Sequence, residues 1–136
     1  MNLELELSMI RKLLLSAFLA GIIGYEREKL KKPAGLRTHI LVALGSTLFT
    51  LLSYTSFPQD PARIASYVVM GIGFIGAGTV LQVKEKITGL TTAASLWVIA
   101  AVGMCVALEY YVVSVVITVL CYLILKLAVI EKKSSK

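Results

Sequence analysis

The chain has 136 residues, 57% of them hydrophobic and 16% charged, with a mean hydropathy of +0.83. That balance leaves too little polar surface for a water-soluble domain of this size and points to a single integral membrane domain. The formal net charge of +6 does not indicate a nucleic-acid partner, because Lys and Arg lie in short segments between apolar stretches rather than along one helix face.

A hydrocarbon core about 30 Å thick takes roughly 20 helical residues to cross. The sequence supplies five stretches near that length, at about 9–26, 38–57, 64–83, 88–108 and 111–130. The expected fold class is therefore all-α, a polytopic bundle of about five transmembrane helices over 1–130 with a short basic tail at 131–136. The bilayer itself is the first partner. The first stretch lacks a small-x-small cleavage site, so it is expected to stay as a helix. Only Leu13 to Tyr25 separates Lys12 from Glu26. Arg11 and Lys12 are therefore expected to snorkel outward. Glu26, Arg27 or Glu28 is expected to be drawn inward and paired, with Arg37 as the natural partner.

Pro33 and Gly35 break the chain after the first helix, and Phe57-Pro58-Gln59-Asp60-Pro61 after the second. At the third link, Thr88-Gly89, either Thr91 or Thr92 is expected to cap the following helix. Glu109-Tyr110-Tyr111 marks the fourth. Cys105 and Cys121 both fall inside apolar spans, where cysteine behaves as a small hydrophobe. Five spans put the termini on opposite sides. Most basic residues, among them Arg27, Lys29, Lys31, Lys32, Arg37 and Lys84, share a side with the C-terminus. The positive-inside rule then predicts an outside N-terminus and a cytoplasmic C-terminus.

Close helix association in lipid relies on small residues. Ala17, Gly21 and Gly24 lead along one face of the first helix onto Glu28. In the third, Gly71 and Gly78 share a face while Gly73 and Gly76 lie on roughly the opposite one, which predicts a helix sandwiched between two close partners. The fourth helix, through Ala93, Ser95, Ala100 and Gly103, is expected to be one of them. A homo-oligomer, most simply a dimer, is a further expectation. Gly71-Ile72-Gly73-Phe74-Ile75-Gly76 also fits the GxGxxG pattern, but a dinucleotide site needs a preceding strand and a following helix N-terminus, and neither suits a bilayer span. No P-loop, His/Cys metal cluster or nucleophile elbow is present in the sequence, and a non-enzymatic protein without a cofactor is expected.

The segment Gly21 to Glu28 (GIIGYERE), followed by Ala34-Gly35-Leu36-Arg37-Thr38-His39 and on to Gly45-Ser46, resembles the signature of the MgtC/SapB family. Asp60-Pro61-Ala62-Arg63-Ile64-Ala65, the glycines at 71, 73, 76 and 78, and Gly89 to Trp97 with Thr91, Thr92 and Ser95 match that family in order and spacing. The resemblance covers nearly the whole chain. It implies a bacterial inner-membrane protein linked to magnesium homeostasis, with Mg²⁺ as an ion transported or sensed, and in some members to virulence. For some members it implies inhibition of the F-type ATP synthase through its membrane sector. Many members also carry a soluble ACT-like domain after the membrane part. The sequence stops at Lys136, so that domain is expected to be absent here.

Glu26, Arg27, Glu28, Arg37, Thr38 and His39 converge at the cytoplasmic end of the first two helices as an ion-pair cluster. It is either a device that fixes the hairpin or a site for a cation or a partner's charged helix. Asp60 and Arg63 flank the outer start of the glycine-rich helix, as a cap, an ion pair or an ion entrance. If a metal binds directly, Asp60 and Glu26 are the candidate carboxylates. Thr38, Ser46, Thr50 and Ser53 could line a polar seam, although hydroxyls at such spacings commonly bond their own helix backbone. Two functions follow: a regulator that binds membrane partners, or a conductor of Mg²⁺ or another cation.

Overall fold

The computed structural model describes residues 2–83 and 86–134, which form five helices and one short hairpin. The elements are α1 (Leu3–Lys29), α2 (Leu36–Ser56), α3 (Ala62–Ala77), β1 (Leu81–Val83), β2 (Lys86–Thr88), α4 (Leu90–Ala107) and α5 (Tyr111–Ser134). Among these, α1, α2 and α4 are long and apolar enough to cross a membrane. The other two, α3 and the 111–127 part of α5, are shorter apolar helices. The fold is thus a five-helix bundle in which, among the described residues, three helices rather than five meet the length and apolarity needed to span a membrane. The 16 residues of α3 rise about 24 Å, short of a core about 30 Å thick.

Two boundaries differ most from the sequence reading. First, α1 begins at Leu3 rather than near residue 9, because Glu4 and Glu6 end the apolar run without opposing a helix and suit its first turn. Second, α3 stops at Ala77 rather than continuing to 83. Residues 81–83 and 86–88 instead pair as antiparallel strands, with Leu81 opposite Thr88, Gln82 opposite Ile87 and Val83 opposite Lys86. A helix continued through this stretch would carry Gln82 and three charged residues further along the bilayer. The hairpin pairs the backbone groups locally instead. Gly89 closes it at φ +90°, where a Cβ would collide with the backbone of Thr79. Gly89 also takes the N-cap place of α4, so Thr91 and Thr92 sit in the first turn and neither caps the helix.

Three apolar clusters hold the bundle. Ala20 and Ile23 of α1 meet Ala43 of α2, Ile99 of α4, and Cys121 and Leu125 of α5. Leu19 packs with Val102 and Val106 of α4. Ala34, Ile72, Leu96 and Ala100 join α3 and the α1–α2 link to α4. The central pair is α2 and α4, which run parallel, so the pairs His39–Ser95, Ser46–Ala100 and Thr47–Gly103 climb both helices in step. One end of the bundle gathers Lys29, Lys31, Lys32 and Arg37 and is called the basic end below.

The helix ends follow a common pattern. After α1, the N–H of Lys31 donates to Glu28 O and that of Lys32 to Arg27 O, with Lys31 at φ +52°. After α4, Glu109 donates to Val106 O and Tyr110 to Cys105 O, with Glu109 at φ +67°. Both are left-handed terminators of the Schellman type, occupied here by residues other than glycine.

The third helix lies at the rim. Its buried residues Ala65, Ile72 and Gly76 fall on one stripe and face the bundle. Gly76 rests on Ala93, where an added Cβ would stand 3.5 Å from the Ala93 Cβ. Gly71 and Gly73 face open space, and Gly78 ends the helix. Within this chain α3 contacts both α2 and α4 along its Ala65, Ile72 and Gly76 side while Gly71 and Gly73 face outward, so its two partners lie on one side rather than on opposite faces. Of the small residues on α4, Ala93 meets α3, whereas Ser95 and Gly103 pack on α2.

Candidate functional site

At the end of α1, Glu26 and Arg27 are buried, with side chains 9% and 2% exposed. Arg27 Nε donates to Glu26 Oε2 at 2.6 Å and Nη2 to Oε1 at 3.0 Å, so one guanidinium holds both carboxylate oxygens. The partner of Glu26 is thus Arg27 and not Arg37, which is exposed and pairs with no carboxylate among the described residues. Neighbours in sequence project about 100° apart on a helix, so the pair forms only because both side chains fold back into the junction of α1, α2 and α5. Both charges act on His39 of α2 and on Cys121 of α5. Glu28 has a separate task. Its Oε2 accepts the free N–H of Leu36 at 2.8 Å and ties the α1 terminus to the first turn of α2.

Close contact of α1 and α2 depends on Gly24. A methyl there would stand 2.8 Å from the Leu36 Cα and 3.0 Å from the His39 Cβ. That approach seats His39, which is fully buried. Its Nδ1 lies 2.8 Å from Gly35 O and its Nε2 3.0 Å from Ser95 Oγ. A carbonyl only accepts, so Nδ1 carries a proton. Ser95 Oγ also lies 2.8 Å from Thr92 O, and one hydroxyl has one proton to give. With neutral His39, Ser95 donates to Nε2. With charged His39, Nε2–H donates to Ser95, which turns its proton to Thr92 O. Protonation of His39 and the hydroxyl direction of Ser95 are one event. Thr38 lies one residue away, half-buried, on the side of α2 that faces α3.

Further along α2, Ser46 Oγ donates to Ala100 O at 2.6 Å and Thr47 Oγ1 to Gly103 O at 3.1 Å, crossing to α4. Thr50 bonds Ser46 O on its own helix at 2.8 Å, and Ser53 reaches Pro61 O at 2.6 Å. Among the described residues no buried side-chain polar atom lacks a partner. Thr47 was not visible as a seam residue in the sequence. Its signal lies on the other helix, at Gly103, where an added Cβ would stand 2.9 Å from the Thr47 Oγ1.

Asp60 and Arg63 lie at the other end, where Arg63 Nε meets Asp60 Oδ2 at 2.7 Å in an exposed pair. Pro61, not Asp60, takes the N-cap place of α3. Asp60 and Glu26 are thus at opposite ends of the bundle, each engaged by an arginine. No group of three or more His, Cys, Asp or Glu side chains able to hold a metal occurs among the described residues. At the same end as Asp60, Lys12 Nζ contacts Glu109 Oε1 at 2.8 Å and donates to Ala107 O at 3.2 Å. Lys12 therefore binds α1 to the α4–α5 turn at that end, a link that the sequence reading missed.

The sequence pattern of the MgtC family matches residues 13–132. The chain belongs to that family. It is 44% identical over 126 residues to YhiD of Escherichia coli (strain K12), named as a candidate magnesium transporter, covering 86% of this chain and 59% of YhiD. It is 45% identical over 95 residues to Protein MgtC of Salmonella typhimurium (strain LT2), covering 70% of this chain and 41% of the relative. Protein MgtC of Brucella abortus is 46% identical over 87 residues, 63% of this chain and 37% of the relative. The chain thus spans between about a third and three-fifths of the length of these relatives. No solved structure matches it. The chain is thus a multi-pass membrane protein of a family linked to magnesium homeostasis in bacteria.

Proposed function

We propose that this MgtC-family protein is a non-enzymatic regulator in magnesium homeostasis that acts by docking another membrane protein on α3. The observation that carries the reading is the open outer face of that helix. Gly71 and Gly73 have no atom within 4 Å of where a Cβ would sit, and Tyr67, Met70 and Phe74 around them are 62%, 72% and 86% exposed. Small residues bracketed by large apolar ones suit the close approach of a second transmembrane helix. A groove of about 580 Å³ between α2 and α3 continues this face past Gly45 and Phe49.

In this reading the N-terminus is outside, the basic end is cytoplasmic, and the ion-pair cluster with His39 and Thr38 fixes the α1–α2 hairpin while Asp60 and Arg63 lead into α3. The membrane sector of the F-type ATP synthase is the partner implied by the family resemblance, and a second copy of the chain is the other occupant of the same face. Gly73→Leu, which fills open space and disturbs no internal contact, is expected to abolish co-purification of the partner while the melting temperature stays put. Retained co-purification would count against docking on α3.

The second reading is a cation conductor, favoured by the name of YhiD. Mg²⁺ flux into liposomes holding the chain, beside Asp60→Asn and Glu26→Gln, separates the two. The regulator reading expects no flux above empty liposomes. Flux that disappears in both variants would replace it with a conductor.

A further inference from the structure

A groove lies where α1, α2 and α5 meet at the basic end, and its volume of about 890 Å³ falls within the range of small-molecule sites. Its wall on α1 runs from Ala17 to Lys29, about 18 Å at the helical rise. One leaflet's hydrocarbon is about 15 Å deep. The groove thus reaches from mid-bilayer to the headgroup level on one side. Its deep part is apolar, lined by Ala17, Phe18, Gly21, Ile22 and Ile40. Gly21 keeps that part open, since an added Cβ would meet only side-chain methyls at 3.8 and 3.9 Å.

The mouth has a different chemistry. Lys29 of α1 and Lys126 of α5 line it from two sides, both exposed, and neither is paired with a carboxylate among the described residues. The Lys126 ammonium lies 4.7 Å from the Tyr122 ring centroid, which holds it over the opening. Glu26 also borders the mouth, but both its oxygens are held by Arg27, so its charge is already compensated. Two cations above an apolar slot one leaflet deep complement a phosphate headgroup with an acyl chain below it. By contrast, the groove between α2 and α3 carries no charged residue and has no such preference.

We propose that the α1–α2–α5 groove is a binding site for one anionic phospholipid of the leaflet on the basic side, its phosphate between Lys29 and Lys126 and an acyl chain along Gly21. The site depends on neither the regulator nor the conductor reading. The test is native mass spectrometry of the full chain released from detergent micelles, with phosphatidylglycerol and phosphatidylcholine of identical acyl chains as probes. Retention of phosphatidylglycerol is expected to exceed that of phosphatidylcholine by on the order of tenfold. The preference should vanish in the Lys29→Gln/Lys126→Gln double variant and persist in Lys32→Gln, an exposed control at the same end. Gly21→Phe, which fills the slot, should lower retention of both lipids. Equal retention of the two lipids by the unmodified chain, or a preference unchanged in the double lysine variant, overturns the proposal. Because both lysines are exposed, that decision does not depend on Gly21→Phe folding.

Discussion

Arg27→Met tests whether the buried ion pair holds the α1–α2–α5 junction. Arg27 is 1% exposed and Glu26 8%, and two charge-assisted bonds of 2.6 and 3.0 Å join them. Removing the guanidinium alone leaves a largely buried carboxylate without the partner that holds both its oxygens, which costs about 3–5 kcal/mol. Removing both charges, as Glu26→Gln/Arg27→Met, leaves no stranded ion and is expected to be within about 1 kcal/mol of the unmodified chain. For a chain of 136 residues the single variant should then melt on the order of 10 °C lower. Cys121 supplies the assay, because it is 7% exposed beside this junction and becomes reactive to a thiol-specific fluorophore when the bundle opens. Cys105→Ala removes the second, half-buried thiol from the signal. The reasoning is refuted if Arg27→Met melts with its parent, or if the double variant falls as far as the single one.

Gly24→Ala places a methyl 2.8 Å from the Leu36 Cα, and backbone cannot withdraw without parting α1 from α2. A loss of about 1–3 kcal/mol is expected, and an unchanged melting temperature would mean the helices separate freely there. Lys31→Gly relieves a left-handed residue at φ +52° and should stabilise the chain by roughly 1 kcal/mol. A drop in melting temperature would show that the lysine side chain matters more than its backbone. Lys12 holds the Glu109 carboxyl below its ordinary value of 4.5, first by hydrogen bond and then by charge. A depressed folded value makes the pair's contribution complete above pH 4.5 and lost as pH falls through the lower folded value. The parent's melting temperature should therefore fall more steeply than that of Glu109→Gln below pH 4.5, by a small, salt-sensitive margin because Glu109 is exposed. Parallel profiles would remove Lys12–Glu109 from the account.

Hydropathy made the five helices legible, because in lipid a long apolar run has few alternatives to a helix. The short α3 was not legible, since Val80, Leu81 and Val83 extend its apolar run and hide the switch to a hairpin that Gln82 and the charges at 84–86 require. The carboxylates and arginines at the basic end could be located but not paired. Helical spacing argues against a contact between neighbours such as Glu26 and Arg27, and burial overrides it. Lys12 read as a topology signal because the sequence does not disclose that the α4–α5 turn would bring Glu109 beside it. Lys29 and Lys126 read the same way, for the groove between them exists only once α1 and α5 are assembled.

The distribution of satisfied polar groups separates a fixed part of the bundle from a looser one. Along α2 the hydroxyls of Ser46 and Thr47 are bonded to carbonyls of α4, and His39 to Ser95, so sliding one helix past the other would strand several buried donors at once. A stranded donor is expensive in lipid, where water offers no replacement. α3 has no such bond to α4. Its buried side consists of Ala65, Ile72 and Gly76, and among the described residues its polar tether to α2 is the bond from Ser53 to Pro61 O at its start. Apolar contact between helices in a bilayer is replaceable by lipid, so α3 can shift against the α2–α4 pair without breaking a buried hydrogen bond. A ligand changes a conformational equilibrium only through contacts that differ between the two states. The helix with the fewest polar ties to the bundle is also the one with open glycines, so contacts made by a docked helix there would bias its placement. Gly73→Leu then has a second consequence beyond lost docking. It should leave the α1–α2–α4–α5 core unchanged, with Cys121 reacting at the parent's rate, and an altered rate would show that α3 is coupled to the core more tightly than its contacts indicate.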